Sequence, residues 1–251
     1  MSKNFELLQR LSGGPEARLC PEGKPNPAAP NWVPIERNPV HDLAGAWHIE
    51  QQKLLRQLFL EARPSPRVVV MSGLDTSSGC TLLCAQLAEL LAQQTSGATC
   101  LVDGDLRRPS LHRHFEVENG AGLADALLEA GEIRSYARPV AQKKLWLVTA
   151  GTEVPDAYTL LASERLNGYI AELRRSFDYV LIDSPAASLY TDSLVLGSMA
   201  DGVALVIKAN VSRRSTTQKV LEDFAAAHVR VLGAALNQRT FPVPQAIYSR
   251  L

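Results

Sequence analysis

The stretch MSGLDTSSGCTLLCAQLA, residues 71–88, places small and hydroxylated side chains immediately ahead of a helix-forming run. Ser72, Gly73, Thr76, Ser77, Ser78 and Gly79 crowd the backbone little, so successive N–H groups can converge on an anion. The positive end of the following helix adds favourable potential there. Gly79 and Thr81 match the last glycine and the hydroxyl of the phosphate-loop pattern GxxxxGK[ST], in which the hydroxyl serves magnesium; Cys80 stands where that pattern has lysine. Two further stretches end in acids: LVDGDLRRP carries Asp103 and Asp105, and VLIDSP carries Asp183. One carboxylate of the first pair suits a metal while the other orients or deprotonates a nucleophile. Asp183, after an apolar run, suits a magnesium-bound water in the manner of a Walker B acid. Arg107 and Arg108 are placed to face a phosphate or a partner.

Chemistry of this kind needs strand ends brought side by side. Short β-branched runs recur at residues 67–72, 98–103, 145–149, 178–183, 202–208 and 229–236, and helix-length segments such as LLCAQLAELLAQQ and ERLNGYIAELRRSF separate most of them. Nearly continuous apolar strands are buried on both faces, which predicts a doubly wound, mostly parallel α/β sheet with ligands at the carboxyl ends of its strands. HIEQQKLLRQLFLEA, residues 48–62, predicts a helix stopped by Pro64 and Pro66. Ahead of it, residues 12–42 hold seven of the fifteen prolines. Such a segment buries too little surface to offset its ordering entropy, so residues 1–42 are expected to be a short helix, NFELLQRL, and a flexible linker, with the folded domain over residues 43–251.

Bulk composition narrows the function classes. The 251 residues are 46% hydrophobic and 21% charged, and 26 basic residues balance 26 acidic ones, so no global field draws the chain to nucleic acid or anionic lipid. No apolar run has the length of a membrane span and residues 1–14 lack a secretory signal, so a cytoplasmic protein is expected. Cys20, Cys80, Cys84 and Cys100 form no CxxC pair, which suits a reducing compartment.

MSGLDTSSGCTLLCAQLAELLA, LVDGDLRRPSLHRHF, FDYVLIDSPAASLYTDSLVLGSMADGVALVIKANVSRR and LGAALNQ together resemble the bacterial tyrosine kinases (BY-kinases) of capsule and exopolysaccharide production, in collinear order over roughly residues 43–240. The opening MSKNFELLQR also resembles the start of cytoplasmic members. The resemblance implies a MinD-like P-loop NTPase fold, ATP with Mg2+, and a membrane polysaccharide co-polymerase of Wzz type as partner, able to recruit the chain to the inner membrane. By position it assigns Ser77, Ser78, Gly79, Cys80 and Thr81 to the nucleotide loop and Asn237 to the adenine side. It assigns Asp103 and Asp105 to Walker A′ and Asp183 to Walker B, with Thr81, Asp103 and Asp183 around magnesium. EQQKLLR resembles the family's E-x-x-R-x-x-R subunit-contact helix, which makes Glu50, Lys53 and Arg56 candidates for contacts in a homo-oligomer or with an active BY-kinase. Their three-residue spacing equally describes a solvated helix face, and lysine lacks arginine's planar fork.

Two departures shape the expected function. A thiol supplies no charge to the phosphates; two unit charges ~4 Å apart are worth about 4 kcal/mol at an effective dielectric near 20, roughly three powers of ten in rate. A helix dipole typically returns only about 0.3–1 kcal/mol of that. The substitute cations nearby are Arg107, Arg108, Arg213 and Arg214. The family's terminal tyrosine cluster is reduced here to Tyr248, and the other tyrosines read as packing residues. The expected protein is therefore a nucleotide-binding but impaired BY-kinase that regulates or scaffolds polysaccharide synthesis. The alternatives are an active tyrosine kinase with a substitute cation and a MinD- or ParA-type positioning ATPase. Smaller features take ordinary accounts: Cys80 as a tolerated small residue rather than an activated thiol, His112 and His114 as surface histidines, and Trp146 and Phe177 as core. Asp192 fits either a site acid or a helix N-terminal acid.

Overall fold

The structure, a computed structural model, describes residues 31–34, 43–61, 64–140 and 144–238, with only the backbone of 31–34 and 43–47. The NFELLQRL segment, Cys20, most of the proline-rich arm and the tail with Tyr248 lie outside the described residues.

Eight strands form one sheet: β1 (Asn31–Pro34), β2 (Val68–Gly73), β3 (Thr99–Asp103), β4 (Arg138–Val140), β5 (Leu145–Val148), β6 (Tyr179–Ser184), β7 (Gly202–Lys208) and β8 (Val231–Asn237). Their spatial order is β1-β8-β7-β2-β6-β3-β5-β4, parallel throughout except for β4 against β5. Helices α1 (Leu43–Leu55), α2 (Cys80–Gln94), α3 (Leu111–His114), α4 (Leu123–Glu129), α5 (Ala157–Leu161), α6 (Glu164–Ser176), α7 (Asp192–Met199) and α8 (Arg214–Ala226) complete the described elements with a 3₁₀ turn at Ile133–Tyr136.

Alternation along the central strands divides the core in two. Val68, Val70, Cys100, Val102, Val180, Ile182, Val203 and Leu205 face one cluster with α4, α6 and α8. Val69, Met71, Leu101, Leu181, Ala204 and Val206 face the other, with α1 and α2. Because both faces are covered, β2 and β3 are buried at every position, the physical origin of their uninterrupted apolar sequence. Each fully buried large side chain, such as Leu83 or Phe224, contributes about 1.5–3 kcal/mol.

Three sequence boundaries shift. α1 begins at Leu43 rather than at residue 48, and its continuation, Arg56–Leu60, widens into a π-helical turn that buries Leu58 and Phe59. Phe59 then meets Tyr179 edge-on at 5.9 Å. β4, which was not among the runs read from the sequence, is an antiparallel edge strand on the mostly parallel sheet that was expected. Asn31–Pro34, inside the stretch read as a linker, pairs in parallel with β8.

Candidate functional site

β6 lies between β2 and β3, and the register sets Met71 beside Asp183 and Asp103 beside Asp183. Thus the loop after β2 and the acids ending β3 and β6 meet at one edge of the sheet because three adjacent parallel strands end level. An open groove of about 400 Å³ follows, lined by the loop from Gly73 to Leu82 and by Asp105, Arg107, Arg108 and Tyr190.

The loop is held from outside. Leu74 donates its N–H to the Val206 carbonyl (2.8 Å), and the Asp75 carboxylate accepts from Ser212 Oγ (2.6 Å) and Ser188 Oγ (3.5 Å). Ser77 and Gly79 both adopt positive φ, +59° and +79°. Gly79 is required twice over, since a Cβ there would also sit 2.5 Å from Asn237 Nδ2. Asn237, buried at the end of β8, donates Nδ2 to the Ser78 carbonyl (2.9 Å) and accepts the Gln238 N–H on Oδ1 (2.8 Å). Gln238 Nε2 in turn donates to the Ser77 carbonyl (3.2 Å). The residue that the family resemblance puts beside adenine therefore commits its amide to bracing the phosphate loop. Asn237→Ala should lower stability by about 1–2 kcal/mol, because it strands the buried Ser78 carbonyl. Urea titration checks this, the midpoint falling at unchanged slope.

Beneath the groove the acids are crowded and short of cations. Asp103 Oδ2 accepts the N–H groups of Ser110 and Leu111, both at 3.1 Å, while its Oδ1 and that of Asp183 are buried with no hydrogen-bond partner among the described residues. Burial pushes Asp103 up to about 7, against the lowering effect of those two amides. Burial, then the charge of Asp103, raises Asp183 well above the carboxylate range despite hydrogen bonds from Thr81 and Cys80. Asp105 is raised by burial as well, offset by the Arg108 and Arg107 N–H groups that its Oδ1 accepts at 2.9 and 3.1 Å. Two orphaned carboxylate oxygens beside a threonine hydroxyl form an all-oxygen donor set that fits Mg2+.

Cys80, the first residue of α2, is buried and turned toward Asp183. Burial, then the Asp183 charge, drives its thiol well above the ordinary range. The activated thiol that a helix N-terminus suggests is thereby reversed: Cys80 is a neutral filler where the phosphate loop pattern puts a cation. Arg107 does not replace that cation. Its guanidinium makes a bidentate bridge to the fully buried Asp192 (Nε–Oδ2 2.8 Å, Nη2–Oδ1 3.1 Å) and lies 4.6 Å from the Tyr190 ring centre. Asp192 is thus the helix N-terminal acid, and it holds Arg107, a residue of the groove lining. Arg213 and Arg214 are not among the groove-lining residues, whereas Arg108 is.

Other sequence candidates fall elsewhere. Glu50 and Lys53 pair within α1 (2.7 Å), and Arg56 reaches Glu61 (3.2 Å), on the helix packed against α2 and outside the groove lining. His114 faces Glu89 at 3.6 Å. Phe177 is buried, and Arg134 lies over both its ring and that of the partly exposed Trp146. Tyr169 packs and donates to the Ala126 carbonyl, but Tyr158 is exposed, contrary to its reading as a packing residue. Sequence reasoning missed Asp75, Ser188, Ser212 and Tyr190, whose partners lie more than eighty residues away in the chain.

No family model matches the chain. The tyrosine-protein kinase YwqD of Bacillus subtilis strain 168 is 30% identical over 169 residues, 67% of this chain and 71% of YwqD. Tyrosine-protein kinase Wzc of Salmonella typhimurium is 33% identical over 170 residues; the match takes in 68% of this chain but only 24% of Wzc. Among solved structures, the chimerical protein CapA2B2 superposes with a TM-score of 0.72 at 22% identity, over 77% of this chain and 85% of the chimera. MinD of Pyrococcus horikoshii superposes at 0.59 and 22% identity, over 73% and 76%. At 30% identity to a tyrosine-protein kinase of which it covers 71%, and with the superpositions above, the chain belongs to the bacterial tyrosine kinase (BY-kinase) family, on a MinD-like P-loop NTPase fold.

Proposed function

We propose that this chain is a BY-kinase-like subunit of bacterial capsule or exopolysaccharide biosynthesis and export, which binds Mg-ATP, transfers phosphate poorly, and acts by regulating or scaffolding its partners. One observation carries the reading: the loop, the Thr81 hydroxyl and the acids are assembled around a buried neutral thiol, while the adjacent Arg107 is held by Asp192.

The residues divide the work as follows. The N–H groups of the loop through Thr81 would hold the phosphates, and Thr81, Asp103 and Asp183 would hold Mg2+, which supplies charge neutralisation on the phosphate oxygens. Asp105, pinned by two backbone amides and facing the groove, would orient a hydroxyl nucleophile. Transfer lacks its drive because the charge that grows on the phosphate oxygens finds a thiol where a preorganised cation belongs.

The proposed partner is a Wzz-type membrane co-polymerase that recruits the chain from the cytoplasm, its proline-rich residues 1–42 serving as the tether and the domain over 43–251 as the docking body. No helix among the described residues is long and apolar enough to cross a membrane. Membership of the kinase family supports this reading, as does the match to Wzc, which takes in only 24% of that longer protein. Assembly through Glu50, Lys53 and Arg56, with itself or with an active BY-kinase, belongs to the same proposal.

Calorimetric titration with Mg-ATP, run beside a labelled-ATP assay for phosphotyrosine and ADP, tests the reading. Binding in the micromolar range with little turnover is expected. Brisk phosphotyrosine formation that vanishes in Asp103→Asn would instead establish the second reading, an active kinase, which the free guanidinium of Arg108 in the groove favours.

A further inference from the structure

Arg107 and Arg108 both line the groove, but only Arg107 is paired there, with Asp192. Asp105 Oδ1 accepts the backbone N–H groups of both residues, and Asp103 Oδ2 accepts those of Ser110 and Leu111. The segment 105–111 is therefore pinned at both ends by buried or half-buried carboxylates, with Pro109 fixing one more backbone angle between them. Both residues line the groove that the phosphate loop also lines, but the Arg107 guanidinium is held by Asp192, whereas the exposed Arg108 side chain has no such partner among the described residues. Among the described residues no carboxylate stands within ion-pair distance of Arg108. An unpaired guanidinium across a groove from an anion-binding loop has one chemistry to offer, a forked pair of charge-assisted hydrogen bonds to phosphate oxygens.

We infer that Arg108 is the phosphate-binding cation of this site, recruited from the β3–α3 loop to hold the polyphosphate of a nucleoside triphosphate that Cys80 cannot hold. The inference rests on the nucleotide reading above and adds which residue recognises the ligand. It also separates binding from transfer. A cation on an exposed side chain anchors the phosphates, but it is mobile and screened by solvent, and it does not stand at the start of α2 where the missing lysine would stand.

Calorimetry on the full chain with Mg-ATP and with adenosine, for wild type, Arg108→Ala, Arg108→Lys and Arg230→Ala, tests it. Arg108→Ala is expected to weaken Mg-ATP by about 5- to 30-fold, with adenosine unchanged and a shallower salt dependence. Arg108→Lys should recover part of the loss, and Arg230→Ala, an exposed arginine at the opposite end of the sheet, should stay within about twofold of wild type. Wild-type affinity retained by Arg108→Ala, or an equal loss for adenosine and Mg-ATP, overturns the inference and leaves the nucleotide reading standing. A wild-type chain that binds no Mg-ATP overturns both.

Discussion

Cys80→Lys is expected to raise ATP turnover by about two to three orders of magnitude over the wild-type chain, since one charge about 4 Å from a phosphate is worth roughly 4 kcal/mol at an effective dielectric near 20. The remaining parts are in place: the loop is braced by Asn237, Gln238 and Asp75, and the acids sit level at the ends of β3 and β6. The new ammonium would enter beside Asp183, whose pKa burial and then the Asp103 charge raise well above the carboxylate range, and would supply the counter-charge that the acid lacks. Restoration should therefore come with a lower Asp183 pKa and firmer Mg2+ binding. Cys80→Ser, equal in size and without charge, should restore nothing. ADP release and phosphotyrosine on a Glu/Tyr copolymer are both to be measured, since the chain's own acceptor is a separate question. A lysine variant that binds Mg-ATP and stays silent would show that Cys80 is not what limits transfer.

Six strands were legible from sequence because burial on both faces leaves them apolar runs, with polar residues almost confined to their ends. β2, β3, β6 and β7 are apolar runs whose ends lie within a residue or two of the expected limits. β4 was not legible: at the sheet edge, two of its three residues, Arg138 and Pro139, are exposed, so no apolar run marks it. β1, with proline and asparagine at its ends, carries no strand signal of its own and exists through pairing with β8.

The acids and loop were equally legible, since a ligand site at strand ends concentrates its chemistry within a few residues of each apolar run. What stayed hidden were pairings across sequence. That Arg107 is spent on Asp192, 85 positions away, decides which arginine is free, yet DLRRP alone offers both equally. That Asp75 binds Ser212, 137 positions away, makes a loop acid into a tether joining the loops after β2 and β7. Sequence separation of this size leaves no periodic trace, so only the fold reveals it.

Asp183→Asn should produce a protein that is more stable without metal and nearly unresponsive to Mg-ATP. In the metal-free state Asp103 titrates near 7 rather than 3.8, and Asp183 is shifted in the same direction, both chiefly by burial. A raised carboxylate holds its proton in the folded state after the unfolded chain has released it. Its favourable contribution is complete below about pH 3.8 and is lost as pH rises to about 7, at up to about 1.4 kcal/mol per pH unit for each fully shifted group. Neutral asparagine removes one such loss, so the variant's advantage in EDTA should grow from pH 5 to pH 8, read as a widening difference in Tm. Asparagine's imperfect fit to Thr81 and Cys80 offsets part of the gain, but a buried uncompensated charge costs more than one poorly matched amide. Mg-ATP should reverse the order, since saturation at about 100 times Kd stabilises wild type by about 2.7 kcal/mol and the variant hardly at all. Thermal melts at pH 5, 6, 7 and 8 with and without Mg-ATP give all four comparisons. If the variant melts below wild type at pH 8 in EDTA, or the gap between them ignores pH, the acids are not the uncompensated pair described above. A gap that opens with pH and inverts with ligand would identify Asp183 as a group kept for binding at the expense of the empty fold.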